Sequence, residues 1–209
     1  MNFKDSELFL DISDRTSPHT LVLPLISKSS TILDVGCNVG YFGEYFINYK
    51  NCICDGVDIN ESFLKKAKKK GYREVYKIDL YYDTFKVPGK YDCILFIDIL
   101  EHLPNPYRIL QKIVDENLKD SGQVVVCVPN IARFEYRCSH LLGKFDYEQS
   151  RILSKDHLRF FTKRSAEEMI TSSGLKILKE IPTGLAQKLR IIPTLTAFQF
   201  IFLCKKKNF

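Results

Sequence analysis

A glycine-containing turn is the part of this sequence best suited to binding a ligand. Residues 32–40 (ILDVGCNVG) form an apolar strand-like run that ends in a turn, and a helical pattern follows. A dinucleotide fold shows Gly-x-Gly-x-x-Gly at this place, whereas this turn reads Asp-x-Gly-x-x-x-Gly. An acid at the strand end can pair with the ammonium group of a ligand. A site that binds a pyrophosphate has no need of this negative charge. The turn residues expected to bind such a ligand are Asp34, Gly36, Cys37, Asn38, Gly40 and Tyr41.

Two further acids follow the next two predicted strands. Asp58 comes eighteen residues after Gly40, where a carboxylate can accept hydrogen bonds from both hydroxyls of a ribose. Ile59 beside it can pack on an adenine face. Asp79 and Leu80 follow the third predicted strand, where an acid can meet the adenine amino group. One aspartate at a strand end is commonly a turn residue, but this order and spacing predict a nucleoside site at the carboxyl edge of a sheet.

Residues 98–104 (DILEHLP) carry the first candidate for acid–base chemistry. His102 follows the fourth predicted strand, and an imidazole titrates near neutral pH, which suits a general base. The alternative is that His102 only orients the loop before Pro104. His157 is the second candidate base. Asp98 is expected to line the ligand pocket.

Residues 130–161 form a long stretch with weak periodicity, and such loops in compact domains are often functional. We expect a lid over a second substrate, in which arginines pair with phosphate or carboxylate groups and aromatic rings stack on a sugar or ring. The alternative is that the aromatic residues form a small satellite core. His19 is expected near the ligand, and His140 is interpreted as structural or exposed. The lid candidates are Arg133, Arg137, Arg151, Arg159, Phe134, Tyr136, Phe145 and Tyr147.

Alternating strands and helices are expected to position these residues. Apolar runs predict strands, and apolar stripes at helical spacing predict helices. Pro106 is expected to begin one helix, with Leu118 on its apolar stripe. Residues 165–168 (SAEE) are expected to form the capping box of another helix. Strands that alternate with helices imply an α/β fold with a parallel sheet covered on both faces. The predicted strands are 31–35, 52–58, 75–78, 91–97, 123–128, 176–181 and 197–204, and the predicted helices are 41–49, 61–70, one from 106 and one from 165 to about 173.

With these motifs in place, residues 31–129 resemble the class I S-adenosylmethionine-dependent methyltransferases. Residues 98–104 resemble the group that includes the ubiquinone-pathway O-methyltransferases. Residues 128–130 (VPN) and 156–162 (DHLRFFT) resemble small bacterial methyltransferases linked to surface-polysaccharide biosynthesis. The resemblance implies a Rossmann-like, seven-stranded, mostly parallel sheet with one antiparallel strand near the C-terminus. It also implies S-adenosylmethionine as cofactor and S-adenosylhomocysteine as product.

Two features qualify the resemblance. Asn38 replaces the middle glycine of the family's turn, and asparagine tolerates a left-handed backbone better than most residues. In the resembling ubiquinone-pathway enzymes, an acidic-x-x-Glu-His cluster is linked to a divalent metal, which implies Asp98, Glu101 and His102 as candidate ligands. We favour the alternative, in which no metal binds, Asp98 lines the cofactor pocket and Glu101 makes structural hydrogen bonds.

Length and composition fit one domain, residues 1–209, with an N-terminal cap helix region at 1–30 and the lid at 130–161. No apolar run is long enough to span a membrane, and no signal core opens the chain, so a cytoplasmic location is expected. The net charge of +6 allows an anionic substrate. Residues 65–70 (KKAKKK) are interpreted as a solvated helix face, which makes a nucleic-acid partner unlikely. The sequence does not indicate an oligomeric state.

The expected reaction is methyl transfer to a hydroxyl of a small or carrier-linked molecule, such as a sugar or glycolipid precursor. An RNA or protein methyltransferase is the first alternative. Two absences argue against part of that class. The chain lacks the Asn/Asp-Pro-Pro-Tyr/Phe loop of enzymes that methylate amino groups of nucleic acids, and it lacks a Pro-Cys pair for attack on a pyrimidine. A non-catalytic cofactor-binding scaffold is the second alternative. The glycine spacing argues against a dehydrogenase.

Overall fold

A seven-stranded sheet runs through the computed structural model, which describes residues 13–82, 84–147, 152–189 and 192–207. Its strands are β1 (Thr31–Val35), β2 (Ile53–Asp58), β3 (Glu74–Lys77), β4 (Tyr91–Ile97), β5 (Leu118–Pro129), β6 (Leu175–Pro182) and β7 (Gln199–Lys206). The helices are α1 (Pro18–Val22), α2 (Tyr41–Lys50), α3 (Glu61–Lys69), α4 (Pro106–Asn117), α5 (Phe134–Leu141), α6 (Lys163–Ser172), α7 (Leu185–Leu189) and α8 (Pro193–Thr196).

The strand order is β3-β2-β1-β4-β5-β7-β6. Strands β1 to β5 are parallel, and β7 runs antiparallel to both β5 and β6, which confirms the expected fold class. The chain leaves β1 toward β2 on one side and later returns to β4 on the other. In open α/β sheets a crevice for ligands forms at the carboxyl ends of the strands where the order reverses, here between β1 and β4.

Both faces of the sheet are buried, which explains the continuous apolar runs of β1 and β4. Leu33 and Val35 belong to the core on one face, which α4 and α6 cover. Ile32 belongs to the core on the other face, together with side chains of α2 and α3. Because successive strand residues point to opposite faces, each apolar run supplies both cores at once.

Two predicted boundaries were wrong. Leu118 does not extend the stripe of α4 but begins β5, where it pairs with Tyr91 across a register shift. The residues that follow Leu118 are polar and form no apolar run, so the sequence did not indicate this part of the strand. The capping box of α6 lies three residues earlier than predicted: the Thr162 hydroxyl accepts the Ser165 N–H, and the Ser165 hydroxyl accepts the Thr162 N–H. Ser165 therefore lies inside the first turn rather than at the cap.

The lid segment contains one helix, α5, which the weak periodicity did not predict. Tyr136 packs with Ile152 and Leu153 in a small separate core, which confirms the satellite-core alternative for this ring. The two ends of the segment are joined to each other, because the Ile131 N–H donates to the Phe161 carbonyl at 2.9 Å. Residues 148–151, which include the predicted Arg151, lie outside the described part of the chain.

The N-terminal cap region is partly described, since residues 1–12 lie outside it. Helix α1 is followed by a 3-10 turn, Leu23–Leu25. Lys50 at the end of α2 donates to the Leu23 carbonyl at 2.6 Å, which ties the cap to the sheet layer. Within the described residues, no helix has the length and apolar content required to cross a membrane.

A buried carboxylate joins three strands at the other end of the sheet. Asp55 is 1% exposed and accepts hydrogen bonds from Arg73 Nε at 2.9 Å and from the Tyr91 hydroxyl at 2.7 Å. Burial by itself raises the pKa of this carboxyl, but the bonds from Arg73 and Tyr91 outweigh it and hold the pKa below its ordinary value. The ion pair therefore stabilises the fold above the ordinary carboxyl pKa and loses this effect as the pH falls through the lower folded value.

We expect Asp55→Ala to lower the free energy of unfolding by about 2–3 kcal/mol at pH 7, because the buried Tyr91 hydroxyl loses its acceptor. The variant should also lose part of the acid sensitivity of the wild type. Urea unfolding at pH 7 and at pH 4 measures both effects. Asp120→Ala, at an exposed position, is the matched control and should change stability by less than about 0.5 kcal/mol. Equal stabilities of the two variants would contradict the assignment.

Candidate active site

A cleft of about 290 Å³ opens at the carboxyl ends of the central strands. Its position agrees with the crevice that the strand order predicts. Five of the predicted cofactor residues lie on its wall: Gly36, Asp58, Ile59, Asp79 and Leu80. The other lining residues are Val57, Ile78, Tyr81, Tyr82, Ile99, His102 and Leu103.

The glycine turn is tightly packed. Gly36 has φ +79°, and a Cβ at this position would lie 2.9 Å from Ile99 Cδ1, so only glycine fits without displacing the cleft wall. Asn38 has φ +50°, and its backbone N–H donates to Asp58 Oδ2 at 2.9 Å. The Asn38 side chain accepts the Val39 N–H at 2.7 Å, which stabilises the left-handed residue. The departure from the family's glycine is therefore accommodated within the turn.

The predicted Cys37 contributes backbone rather than thiol to this region. Its N–H and that of Gly36 both donate to the Val57 carbonyl. Its side chain is buried in the core, where a Cβ on Gly56 would lie 2.7 Å from the sulfur. Gly40 closes the turn with φ +80° against Ala67 of α3. These contacts fix the start of α2 beside the cleft.

Asp34 is buried beneath the turn and is oriented by Tyr72. The Tyr72 hydroxyl donates to Asp34 Oδ2 at 2.6 Å and accepts the Gly43 N–H at 3.0 Å. Burial raises the pKa of Asp34 to about 6, although the Tyr72 hydrogen bond acts in the opposite direction. Sequence reasoning missed Tyr72, since a lone tyrosine outside the predicted elements gives no signal of its role.

Asp58 is the acid best placed to bind a ribose. Its Oδ1 accepts the Asn60 N–H at 2.8 Å, which together with the bond from Asn38 holds the carboxylate at the cleft. Burial raises the pKa of Asp58, against the backbone hydrogen bonds. Ile59 beside it is 57% exposed, so an apolar surface is available to an adenine ring. Asp79 Oδ1 accepts the Tyr81 N–H at 2.8 Å at the far end.

Two tyrosines at the Asp79 end of the cleft were not predicted. Tyr81 and Tyr82 line the cleft directly after Asp79 and Leu80, and their ring centroids are 4.3 Å apart. Two consecutive tyrosines behind a strand-end acid are a signal that could have identified them, because aromatic faces suit stacking on a base.

Asp98 lies at the other end, beyond the cleft wall. It has φ +51° and is half-buried, and the Gln199 side-chain amide donates to its Oδ1. Burial raises the pKa of Asp98 to about 6, against hydrogen bonds from Cys127 and Gln199. The predicted Tyr41 is half-buried near this carboxylate, and its hydroxyl lies 3.5 Å from His19 Nε2. Asp98 and Tyr41 thus lie beside the turn, and neither is among the residues that line the cleft.

The two candidate bases are brought together. His102 and His157 have ring centroids 4.8 Å apart at an interplanar angle of 83°. Their contact follows from the Leu158 and Arg159 N–H groups, which donate to the Glu101 carbonyl at 2.8 and 3.0 Å. Burial lowers the pKa of His157 below its ordinary value. His102 lines the cleft, whereas His157 lies behind it.

The remaining lid candidates divide into anchored and exposed side chains. Arg133 pairs with Glu135 at 2.6 Å and lies over the Phe198 ring. Arg159 Nε donates to the Pro104 carbonyl at 2.9 Å. Both arginines therefore fasten the lid to the sheet. The side chains that remain exposed are Phe134, Arg137, His140, Phe145 and Tyr147.

Comparison with known proteins identifies the family. Residues 7–180 match the family described as "Methyltransferase domain", which is more than half of the chain. The chain belongs to this methyltransferase family. Solved structures of S-adenosylmethionine-dependent methyltransferases share its fold, including one from Clostridium acetobutylicum with a TM-score of 0.62, 15% identity and coverage of 85% of this chain and 84% of that one. S-adenosylmethionine is the cofactor of this class of methyltransferase.

The curated relatives differ in the acceptor that their names state. A ubiquinone biosynthesis O-methyltransferase from Coxiella burnetii is 23% identical over 155 residues, which are 72% of this chain and 65% of that protein. An alpha N-terminal protein methyltransferase 1 from Dictyostelium discoideum is 28% identical over 159 residues, 71% of this chain and 52% of that protein. The methyltransferase thus spans less than two-thirds of the length of these relatives.

One further solved structure shares the fold over nearly the whole chain. It is the complex between the Haloferax volcanii Trm112 methyltransferase activator and a methyltransferase, with a TM-score of 0.66, 14% identity and coverage of 95% and 92%. At this identity the likeness concerns the fold alone.

The glycine turn of this methyltransferase can be tested at Asn38. We expect Asn38→Gly to bind S-adenosylmethionine within about threefold of the wild type, because glycine adopts positive φ readily. Asn38→Val should bind about tenfold more weakly, since a β-branched residue is strained at φ +50°. Calorimetric titration measures both affinities. Equal weakening in the two variants would show instead that the asparagine amide itself contacts the ligand.

Proposed function

We propose that this chain transfers the methyl group of S-adenosylmethionine to a hydroxyl of a small or carrier-linked molecule, with a sugar or glycolipid precursor as the expected class. The observation that carries the proposal is the paired imidazoles of His102 and His157 beside a cleft with an acid at each strand end. The Coxiella burnetii relative, whose name states O-methylation, supports a hydroxyl acceptor.

The cleft offers a complementary group to each part of the cofactor. Asp58 would accept hydrogen bonds from the ribose hydroxyls, and Ile59 would pack on the adenine. Asp79 would accept from the adenine amino group. Asp34 and Asp98 would give the methionine end a negative field suited to its ammonium group. The sulfonium methyl would then point past the turn toward His102.

The chemistry needs alignment more than activation of the donor. The acceptor oxygen forms a bond to the methyl carbon while the carbon–sulfur bond breaks, and S-adenosylhomocysteine leaves. Holding the two reactants in line accounts for most of the acceleration expected. The proton of the hydroxyl must be removed, and His102 and His157 are the groups through which it would leave. Residues 130–161 would form the lid over the acceptor, and residues 1–209 would act as one domain.

An assay of product release tests this function. The full chain is incubated with methyl-labelled S-adenosylmethionine and three acceptor pools: sugars and sugar nucleotides, phenols and catechols, and peptides with free N-termini. We expect S-adenosylhomocysteine to form with one of the first two pools and mass spectrometry to place the methyl group on oxygen.

Label on peptides alone would overturn the proposal in favour of protein methylation, the second candidate, which the Dictyostelium discoideum relative supports. Tight cofactor binding with no turnover in any pool would support a non-catalytic scaffold. Gly36→Val is the matched inactive control, because its side chain would meet Ile99 at the cleft wall.

A further inference from the structure

One oxygen of a buried carboxyl group beside the two histidines has no hydrogen-bond partner among the residues that the structure describes. Glu101 is 1% exposed, and its Oε2 makes no hydrogen bond to any residue that the structure describes. The expectation that its side chain makes structural hydrogen bonds therefore fails at this atom. A charged carboxylate with an unpaired oxygen is strongly unfavourable in a protein interior, so such a group either keeps a proton or is matched by a cation.

The two neighbouring imidazoles each hold Nδ1 against a backbone carbonyl. His102 Nδ1 lies 3.1 Å from the Asp156 carbonyl, and His157 Nδ1 lies 2.8 Å from the Ile152 carbonyl. A ring nitrogen that faces a carbonyl oxygen at this distance must carry the proton, so in each neutral ring Nε2 is the unprotonated nitrogen. Metal-binding histidines in proteins are commonly oriented in this way: the ring nitrogen that does not bind the metal donates a hydrogen bond to a carbonyl oxygen.

We propose that Glu101, His102 and His157 bind one divalent transition-metal ion, with Zn²⁺ as the expected ion. One ligand atom from each residue lies within 4.8 Å of the others. Bonds of about 2.0–2.2 Å place two ligands of a tetrahedral site roughly 3.3 Å apart, so modest side-chain rotations complete the site. Two imidazoles and one carboxylate leave a fourth position open, as in sites where a metal acts on a bound molecule.

This set of residues differs from the one that the family resemblance implies. Asp98 does not belong to the group, because Gln199 and Cys127 donate to its carboxylate. His157 takes its place and comes from the end of the lid. The exchange of an oxygen ligand for a second imidazole changes the preferred ion, since Mg²⁺ selects oxygen ligands whereas imidazole suits Zn²⁺ and its neighbours.

The site lies where the proposed acceptor would be held. His102 faces the cofactor cleft, so the open position would be directed toward the acceptor. When bound, the ion would occupy Nε2 of both rings and would itself lower the pKa of an acceptor hydroxyl, so the proton would leave without an imidazole base. His102 and His157 would act as proton acceptors only in the metal-free chain. This role of the ion rests on the proposed function, but the binding of the metal does not. The ion would also join the lid to the turn after β4 through His157.

Metal binding is measured on the full, metal-free chain without cofactor or acceptor. Calorimetric titration with Zn²⁺ should show one site, and Co²⁺ should give the visible absorption of a four-coordinate ion. Glu101→Gln and His157→Ala should each weaken Zn²⁺ by at least about a hundredfold, the upper end of the loss seen when a group supporting a ligand is removed. Cys138→Ser and His140→Ala, which remove the more exposed thiol and histidine of α5, should leave the affinity unchanged.

A second measurement separates loss of the ligand from loss of the fold. In a chelator, Glu101→Gln should unfold at the same temperature as the wild type or higher, because a neutral side chain of similar size replaces an ionisable group in the core. Added Zn²⁺ should raise the melting temperature of the wild type only. The proposal is overturned if Zn²⁺ binds equally to Glu101→Gln, His157→Ala and the wild type, or if Asp98→Asn abolishes binding while His157→Ala does not. S-adenosylmethionine titrated in chelator tests the cofactor site independently.

Discussion

We expect Asp58→Ala to bind S-adenosylmethionine about a hundredfold more weakly than the wild-type chain. The carboxylate would accept two hydrogen bonds from the ribose, and hydrogen bonds to a charged group contribute about 1.5–3 kcal/mol each. A loss of about 3 kcal/mol corresponds to a factor of roughly 100 in affinity. The substitution also removes the acceptor of the Asn38 and Asn60 N–H groups, so the turn becomes less ordered. Calorimetric titration at pH 7.5 gives the affinity directly.

Two control variants show whether the loss belongs to the ribose contact. Asp79→Ala removes one hydrogen bond at the adenine end rather than two and should weaken binding by about tenfold. Asp120→Ala lies in the exposed part of β5 and should bind as the wild type does. An Asp58→Ala protein that binds within threefold of the wild type would place the ribose elsewhere. The cofactor orientation described above would then be wrong.

The second large effect concerns turnover. His102→Gln should lower kcat by a factor of about 10²–10⁴, which is the contribution of a positioned proton acceptor. Glutamine can keep the hydrogen bond to the Asp156 carbonyl, so the loop should retain its position. The affinity for S-adenosylmethionine should change by less than about threefold, since the acceptor side alone is altered. Fixed-time assays with the acceptor that the pooled assay identifies give kcat, and calorimetry gives the affinity.

His140→Gln is the matched substitution for this experiment. His140 is exposed and stacks on Phe145 at the outer side of the lid, 5.1 Å between ring centroids. Its replacement should leave kcat unchanged. A His102→Gln enzyme with normal kcat would show that the imidazole only orients the loop, which is the alternative that the sequence leaves open. A fall in cofactor affinity equal to the fall in kcat would point to the same conclusion.

Part of the cleft wall could be predicted from sequence because its residues come from consecutive strand ends. Asp34, Asp58 and Asp79 each directly follow or end an apolar run, and parallel strands bring their carboxyl ends to one edge. The positive φ of Asn38 was likewise predictable from its place between glycines. These features depend on local chain chemistry and on the order of the strands, which a single sequence contains.

Only the tertiary structure decided which distant side chains meet. Gln199 reaches Asp98 because β7 inserts antiparallel beside β5, and no local pattern predicts that pairing of side chains. Tyr72 orients Asp34 because the chain after α3 folds beneath the glycine turn. His157 meets His102 because two backbone bonds to the Glu101 carbonyl dock the end of the lid. Contacts of this kind depend on how whole elements pack. The candidate residue types can therefore be read from the sequence, but long-range packing sets which of them lie together.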